Sequence, residues 1–290
     1  MTTFTGRGHG KLILSGEHAV VYGHPALAVA VDRGAEVSLR RIDGPTRTCA
    51  ETLCDVRLTE ALKAALEPTG WEVSVKSDLP IGRGMGSSAA IAVGLVRAQA
   101  AAAGETLDLQ TVWERAFAAE RAFHGTPSGL DQAVACRGGM LRYLKGPPPI
   151  FVDLPCPDQA IVVLDSGEAG DTAQLVAGVR ARRPGIDPVL DAIGELVLRV
   201  EAALPDPAAV GPLLTENHAL LQQIGVSNPM LDGLVQLALD HGAWGAKLAG
   251  AGGGGVVIAL TAEPESLVEV ARAHGVDAFV CQTMPGTTVP

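Results

Sequence analysis

The chain is poor in aromatic residues, which make up 3% of its 290 positions. It is also poor in lysine: of 22 basic residues only Lys11, Lys63, Lys76, Lys145 and Lys247 are lysines. Charged residues reach only 19%, and their balance is acidic, with a formal net charge of -10. Such a chain lacks the basic footprint that holds nucleic acid or an anionic membrane surface. Any phosphate site must therefore be local, built from backbone N–H groups, a few cations and a metal ion. The five cysteines (Cys49, Cys54, Cys136, Cys156, Cys281) contain no C-x-x-C pair and are odd in number. They indicate neither a disulfide framework nor a zinc site, and fit a reducing compartment. Long hydrophobic runs are missing too. The most apolar stretch, 87–104, carries Arg97 and Gln99 and is too short and too polar to span a bilayer. The N-terminus shows no signal-like apolar region. The expectation is a soluble, cytoplasmic protein with no nucleic-acid and no membrane partner.

What is present is a large apolar fraction, 47% of residues, enough for a sizeable core without metals or disulfides. The length is about twice that of a common domain. Residues 11–14, 36–40 and 71–75 read as strands, the last by alternation of Trp71, Val73 and Val75. Residues 58–66 read as a short helix, 87–103 as a buried helix, and 108–124 as a helix capped by Asp108. A short helix over 128–136 precedes a strand at 140–144. The proline-rich stretch 146–157 then marks a linker or a sheet edge, and is the preferred domain boundary. Beyond it the pattern predicts a strand at 160–164, helices around 172–182, 188–203, 208–223 and 230–240, and a strand at 256–260. A helix over 264–274 and a strand over 278–283 close the chain. This is an α+β pattern in two domains, 1–155 and 156–290.

Four constellations could carry chemistry. In the first, Pro80-Ile81-Gly82-Arg83-Gly84-Met85-Gly86-Ser87-Ser88, alternating glycines lead from a strand into a buried helix. Glycines let backbone N–H groups approach an anion, the helix N-terminus adds partial positive charge, and the serines can bind phosphate or magnesium. It is neither a Walker loop nor a dinucleotide fingerprint. A plain strand–helix turn needs one glycine rather than three, so phosphate binding is the better reading. In the second, Lys247 opens a segment with glycines at 250 and 252–255, tolerable where a ligand or another backbone comes close. In isolation a loose hairpin turn explains it as well.

The third pairs Glu120 with Asp131. Glu120 falls within the stripe Leu109, Trp113, Phe117 and His124, which points its charge inward toward a metal, Lys or Arg. Asp131 could equally be a favourable acid in the first turn of a helix. The fourth is Lys11 followed by Gly16-Glu17-His18, where a surface ion pair and a satisfied, partly buried histidine are the bland readings. The other histidines show no metal-ligand spacing.

Together these segments resemble the GHMP kinases, with all three motifs in order across nearly the whole chain. The stretches 10–28, 124–131 and 217–232 resemble mevalonate kinases in particular. The resemblance implies an N-terminal domain like ribosomal protein S5 domain 2 and a ferredoxin-like C-terminal domain, with ATP and substrate in the cleft between. It implies that Pro80, Gly82, Arg83, Gly84, Met85, Gly86, Ser87 and Ser88 hold the ATP phosphates. Ser88 and Glu120 match Mg²⁺ ligands, Asp131 the catalytic base and Lys11 the cation beside it. Lys11, Glu17, His18, Asp131, Gly250 and Ala251 would line the substrate site. The implied reaction is ATP-dependent phosphorylation of the 5-hydroxyl of mevalonate. A homodimer is a family-level expectation. The alternatives are another small alcohol, a phosphomevalonate-like acceptor, or a non-catalytic ligand sensor on the same fold. Arg83 stands where relatives often carry a small residue, which could add a charge near the triphosphate. Met85 replaces a usual Leu, and Ala249 replaces a common Ser or Thr.

Overall fold

The computed structural model describes residues 2–49, 65–67, 69–124 and 128–286, and of 121–124 the backbone only. The helix expected at 58–66 falls almost wholly outside the described residues, as does the 125–127 part of the turn before Asp131.

The chain forms two compact units that do not follow chain order. One comprises Met1–Lys11, Arg33–Pro80 and Gly86–Gly138; the other comprises Leu12–Asp32, Ile81–Met85 and Gly139–Pro290. Two long strands, β1 (Thr3–Ser15) and β2 (Pro25–Pro45), are each continuous from one unit into the other.

In the first unit, Ala35 to Arg41 of β2 pair antiparallel with β4 (Thr69–Ser77), and β3 (Arg47–Thr48) adds to β4 in parallel. Helix α1 (Ser87–Ala103) packs with α2 (Leu109–His124) and α3 (Leu130–Arg137). Their shared core is built from small residues, Ala89, Ala92, Val93, Val96, Val112, Ala116, Ala135 and Cys136. Small side chains allow a close approach on the strand side as well. A Cβ added to Gly8 would collide with the Ala90 carbonyl, and one on Gly6 with that of Gly94. Gly6 and Gly8 are thus where the backbone of α1 crosses the strand.

In the second unit, Pro25 to Val29 of β2 pair with β5 (Met140–Leu144), which pairs in turn with β6 (Ile150–Leu154). Of the proline-rich stretch expected as a boundary, residues 146–149 lie in the turn and Ile150–Leu154 form the outer strand of a hairpin, with the prolines outside the strand itself. A second, antiparallel sheet runs in the order β10-β7-β9-β8. Its strands are β7 (Ala160–Asp165), β8 (Gly245–Ala249), β9 (Val256–Leu260) and β10 (Asp277–Gln282). Between β7 and β8 lie α4 (Thr172–Arg182), α5 (Asp187–Ala203), α6 (Pro207–Gln223) and α7 (Pro229–Asp240), and α8 (Pro264–Ala273) joins β9 to β10. Strand, crossover, hairpin, helix, strand in this spatial order is the ferredoxin-like arrangement. Helices α6 and α7 cover β8, and α8 covers β7 and β10. Four of the described helices carry Pro in the first turn, where its missing N–H would have no helical partner. Among the described residues no helix is long and apolar enough to cross a membrane.

Candidate active site

Within the first unit, four of the expected residues converge. Lys11, near the end of that unit's part of β1, reaches Asp131 in the first turn of α3, with Nζ 3.2 Å from Oδ1. The lysine side chain is 3% exposed and the aspartate 34%. A buried ammonium needs an anionic partner, and Asp131 supplies it while keeping an open side. The aspartate also sits at a helix N-terminus, where Gly129 is the N-cap and Ser128 Oγ accepts the Leu130 amide at 3.2 Å. The partial positive charge there adds to that of Lys11.

Beside this pair, Ser88 Oγ donates to Glu120 Oε1 at 2.9 Å, and the Gln132 amide donates to Glu120 Oε2. Glu120 is buried, in line with Ala116 and Val112 one and two turns earlier. The fully buried line of α2 is therefore 112–116–120, whereas Trp113 and Phe117 are half-buried and stack on each other at 5.1 Å. The described residues leave the His124 side chain aside. Burial first, and then the negative charge of Asp131, push the Glu120 pKa up to about 7. Bonds from Ser88 and Gln132 and the charge of Lys11 pull the other way without restoring it. Gln132 carried no signal in the sequence beyond its place next to Asp131.

A carboxylate that resists ionisation is a stability statement. The native pKa lies above the unfolded value, so the folded state holds the proton longer. Stability therefore falls as pH rises from about 4.5 to about 7 and is level above that. Glu120→Gln is expected to stabilise the metal-free protein at pH 8 by about 3 kcal/mol, and by little at pH 4.5. Urea unfolding at the two pH values checks this; an equal gain at both would contradict it.

The glycine loop is divided between the units, with 81–85 in the second and 86–88 in the first. Gly86, at φ 77°, is the N-cap of α1, and no side chain caps that helix. The first amides of α1 are thus left for another acceptor, the condition for anion binding. A Cβ on Gly86 would lie 2.9 Å from Cγ of Lys11, so the lysine stem runs along this glycine. Ser87 and Ser88 are the first two residues of α1. Pro80 closes the approach from β4, and the Met85 side chain is buried.

In the second unit, the Gly16-Glu17-His18 corner is tied to the third glycine segment at two points. Glu17 Oε1 meets Lys247 Nζ, both side chains being essentially inaccessible, and Nζ also donates to the Ile13 carbonyl at 3.2 Å. The second oxygen of Glu17 is buried with no hydrogen-bond partner among the described residues. His18, at φ 61°, sits 2.9 Å through Nε2 from the Ala251 carbonyl. A carbonyl can only accept, so Nε2 carries the proton, and burial lowers the His18 pKa. Gly84 lies against the same segment: its Cβ would be 2.9 Å from the Ala249 carbonyl and 3.5 Å from Gly250. Lys247 was visible in the sequence only as a lysine beside glycines. Its neighbour is 230 residues away, which no local pattern reveals.

Among the described residues no cluster of three or more His, Cys, Asp and Glu side chains could hold a metal ion. The donor set at Ser88 and Glu120 is one hydroxyl and one carboxylate.

Family models cover two parts of the chain: GHMP kinases N terminal domain over residues 53–139 and GHMP kinases C terminal over 198–280. The mevalonate kinase of Thermococcus sibiricus is 36% identical, with 91% of this chain and 90% of that protein aligned. That of Pyrococcus furiosus is 35% identical over the same shares. The crystal structure of L. major mevalonate kinase in complex with R-mevalonate superposes with a TM-score of 0.86 at 26% identity, covering 99% of this chain and 98% of that one. The Methanococcus jannaschii mevalonate kinase superposes with a TM-score of 0.82 at 25% identity, covering 98% of each chain. A helix start at Gly86 without a side-chain cap, a buried lysine on a half-exposed aspartate and likeness over nine-tenths of the chain agree: this chain belongs to the mevalonate kinase family of GHMP kinases.

Proposed function

We propose that this chain transfers the γ-phosphoryl group of ATP to the 5-hydroxyl of mevalonate, giving 5-phosphomevalonate and ADP. The observation that carries the reading is the buried Lys11 paired with a half-exposed Asp131, in a chain 36% identical to a mevalonate kinase over nearly its whole length.

Phosphoryl transfer asks a protein mainly for positioning and charge stabilisation. Asp131 orients the acceptor hydroxyl and takes its proton as the O–P bond forms, since a carboxylate is far too weak to deprotonate a free alcohol beforehand. Lys11 pairs with Asp131 and offers its charge to the transferring group. The segment Pro80, Gly82, Arg83, Gly84, Met85, Gly86, Ser87 and Ser88 carries the triphosphate, chiefly through backbone amides at the start of α1. Glu17, His18, Gly250 and Ala251 are the second unit's residues proposed for the acceptor, Glu17 through its buried pair with Lys247.

Mg²⁺ fits the residues present. Glu120 is a buried carboxylate held against ionisation, and Ser88 points its hydroxyl at it; a divalent cation would supply the missing positive charge. When bound, Mg²⁺ would neutralise phosphate charge. Ser88 and Glu120 would hold it, with Gln132 fixing the second carboxylate oxygen.

The test measures ADP release from ATP and Mg²⁺ with mevalonate, phosphomevalonate, homoserine and galactose at matched concentration. Turnover with mevalonate alone is expected. Activity with another acceptor and none with mevalonate would replace the substrate. Silence on all four with ATP still bound would make the chain a sensor.

A further inference from the structure

Arg83 stands within the glycine loop, where its charge would most simply be given to the nucleotide. Its guanidinium is engaged elsewhere. Nε lies 3.1 Å from Asp165 Oδ1, and Nη2 donates to the Gly167 carbonyl at 2.8 Å. Both side chains are largely buried, 19% and 11% exposed. Asp165 ends β7, and the same oxygen accepts the Gly167 amide at 2.8 Å, so one carboxylate fixes both the turn and the guanidinium.

That turn is itself joined to the third glycine segment. Gly255 N donates to Glu168 O at 2.7 Å, and Ser166 N donates to Gly255 O at 2.9 Å. On its other side the loop touches the same segment: a Cβ on Gly255 would lie 2.9 Å from the Arg83 carbonyl. Residues 81–85, 165–168 and 249–255 are thus interlocked, all within the second unit.

A run with glycines at 82, 84 and 86, all at positive φ, has many competing conformations when unrestrained. Only the fraction already in the binding shape contributes to apparent affinity. A planar guanidinium that spans a carboxylate and a carbonyl selects one geometry, and the carboxylate offsets its charge. We infer that Arg83 is a positioning residue of the nucleotide site: its clamp on Asp165 and Gly167 holds the first half of the loop in shape, and it does not itself contact phosphate. The inference rests on the proposed reading of 82–88 as the ATP phosphate loop.

A mutant cycle of Arg83→Ala, Asp165→Asn and the double variant tests it, with ADP affinity read by calorimetry and the KM for ATP by steady-state kinetics. Each single variant is expected to weaken ADP binding and raise the ATP KM by about tenfold, and the double variant by no more than either single. The KM for mevalonate should move by less than about twofold, and Arg83→Lys should fall between wild type and Arg83→Ala because it lacks the fork. If Asp165→Asn leaves ADP affinity unchanged or tighter while Arg83→Ala weakens it, Arg83 acts on the phosphates directly and the inference is overturned. Gly84→Ala separates the two levels, since its positive φ and close contact strain the loop. Weakened ADP binding there, with Arg83 and Asp165 variants inert, overturns the clamp alone. Unchanged binding in a Gly84→Ala protein with a normal thermal melt removes the loop reading and the clamp with it.

Discussion

Asp131→Asn is expected to lower kcat by about 10²–10⁴-fold while ADP binding stays within a few-fold of wild type. The side chain is isosteric, keeps a hydrogen-bonding oxygen and remains at the N-terminus of α3. What it loses is the ability to accept a proton as the new O–P bond forms. That loss belongs to the transition state, so kcat and kcat/KM should fall together. The substitution also leaves the buried Lys11 ammonium without its anion. A thermal melt run alongside separates the two effects, because a folded protein with intact ADP affinity and no turnover isolates the chemical role. Turnover within tenfold of wild type would remove Asp131 from the mechanism.

Lys247→Met is expected to destabilise the protein by about 3–5 kcal/mol, read as a lower midpoint in urea. Glu17 would then be a buried carboxylate with neither oxygen partnered, since one already has no partner among the described residues. The cost comes from the stranded charge more than from the lost bond. The double variant Glu17→Gln with Lys247→Met should therefore recover much of the stability, as neutral replacements of buried pairs commonly do. An equal loss in single and double variants would show that lysine packing, and not the pairing, matters here. Recovered stability with impaired turnover would tie Glu17 to the acceptor site.

Helices were legible because their signals are local. Asp171, Asp206 and Asn228 cap α4, α6 and α7 through bonds to amides two or three residues on, within the same few positions of chain. The helix at 87–103 is bounded by Gly86 and Gly104, both at positive φ. Strands were read short or overlooked. Expected over 11–14 alone, β1 runs from Thr3 to Ser15, because Gly6, Gly8 and Gly10 interrupt the apolar alternation. For Gly6 and Gly8 the reason lies some 85 residues away in α1, at Gly94 and Ala90. The strand β8 was absorbed into the glycine segment that follows it, and β6 into the prolines that precede it. Both are secured by pairing with a neighbour rather than by their own composition.

The residues of the candidate site divide in the same way. From sequence alone came the chemical types and their order: a glycine loop entering a helix, an inward carboxylate on α2, an aspartate at the head of α3, and a lysine on the first strand. Loop flexibility, helix periodicity and capping are properties of adjacent residues, so they can be read along the chain. Tertiary structure decided which charges meet. It set Lys11 on Asp131, Ser88 and Gln132 on Glu120, Lys247 on Glu17, and Arg83 on Asp165. Burial and pairing depend on what the fold brings within a few ångströms, and that is why Arg83, read in sequence as an added charge near the triphosphate, is held by Asp165 and Gly167 in space.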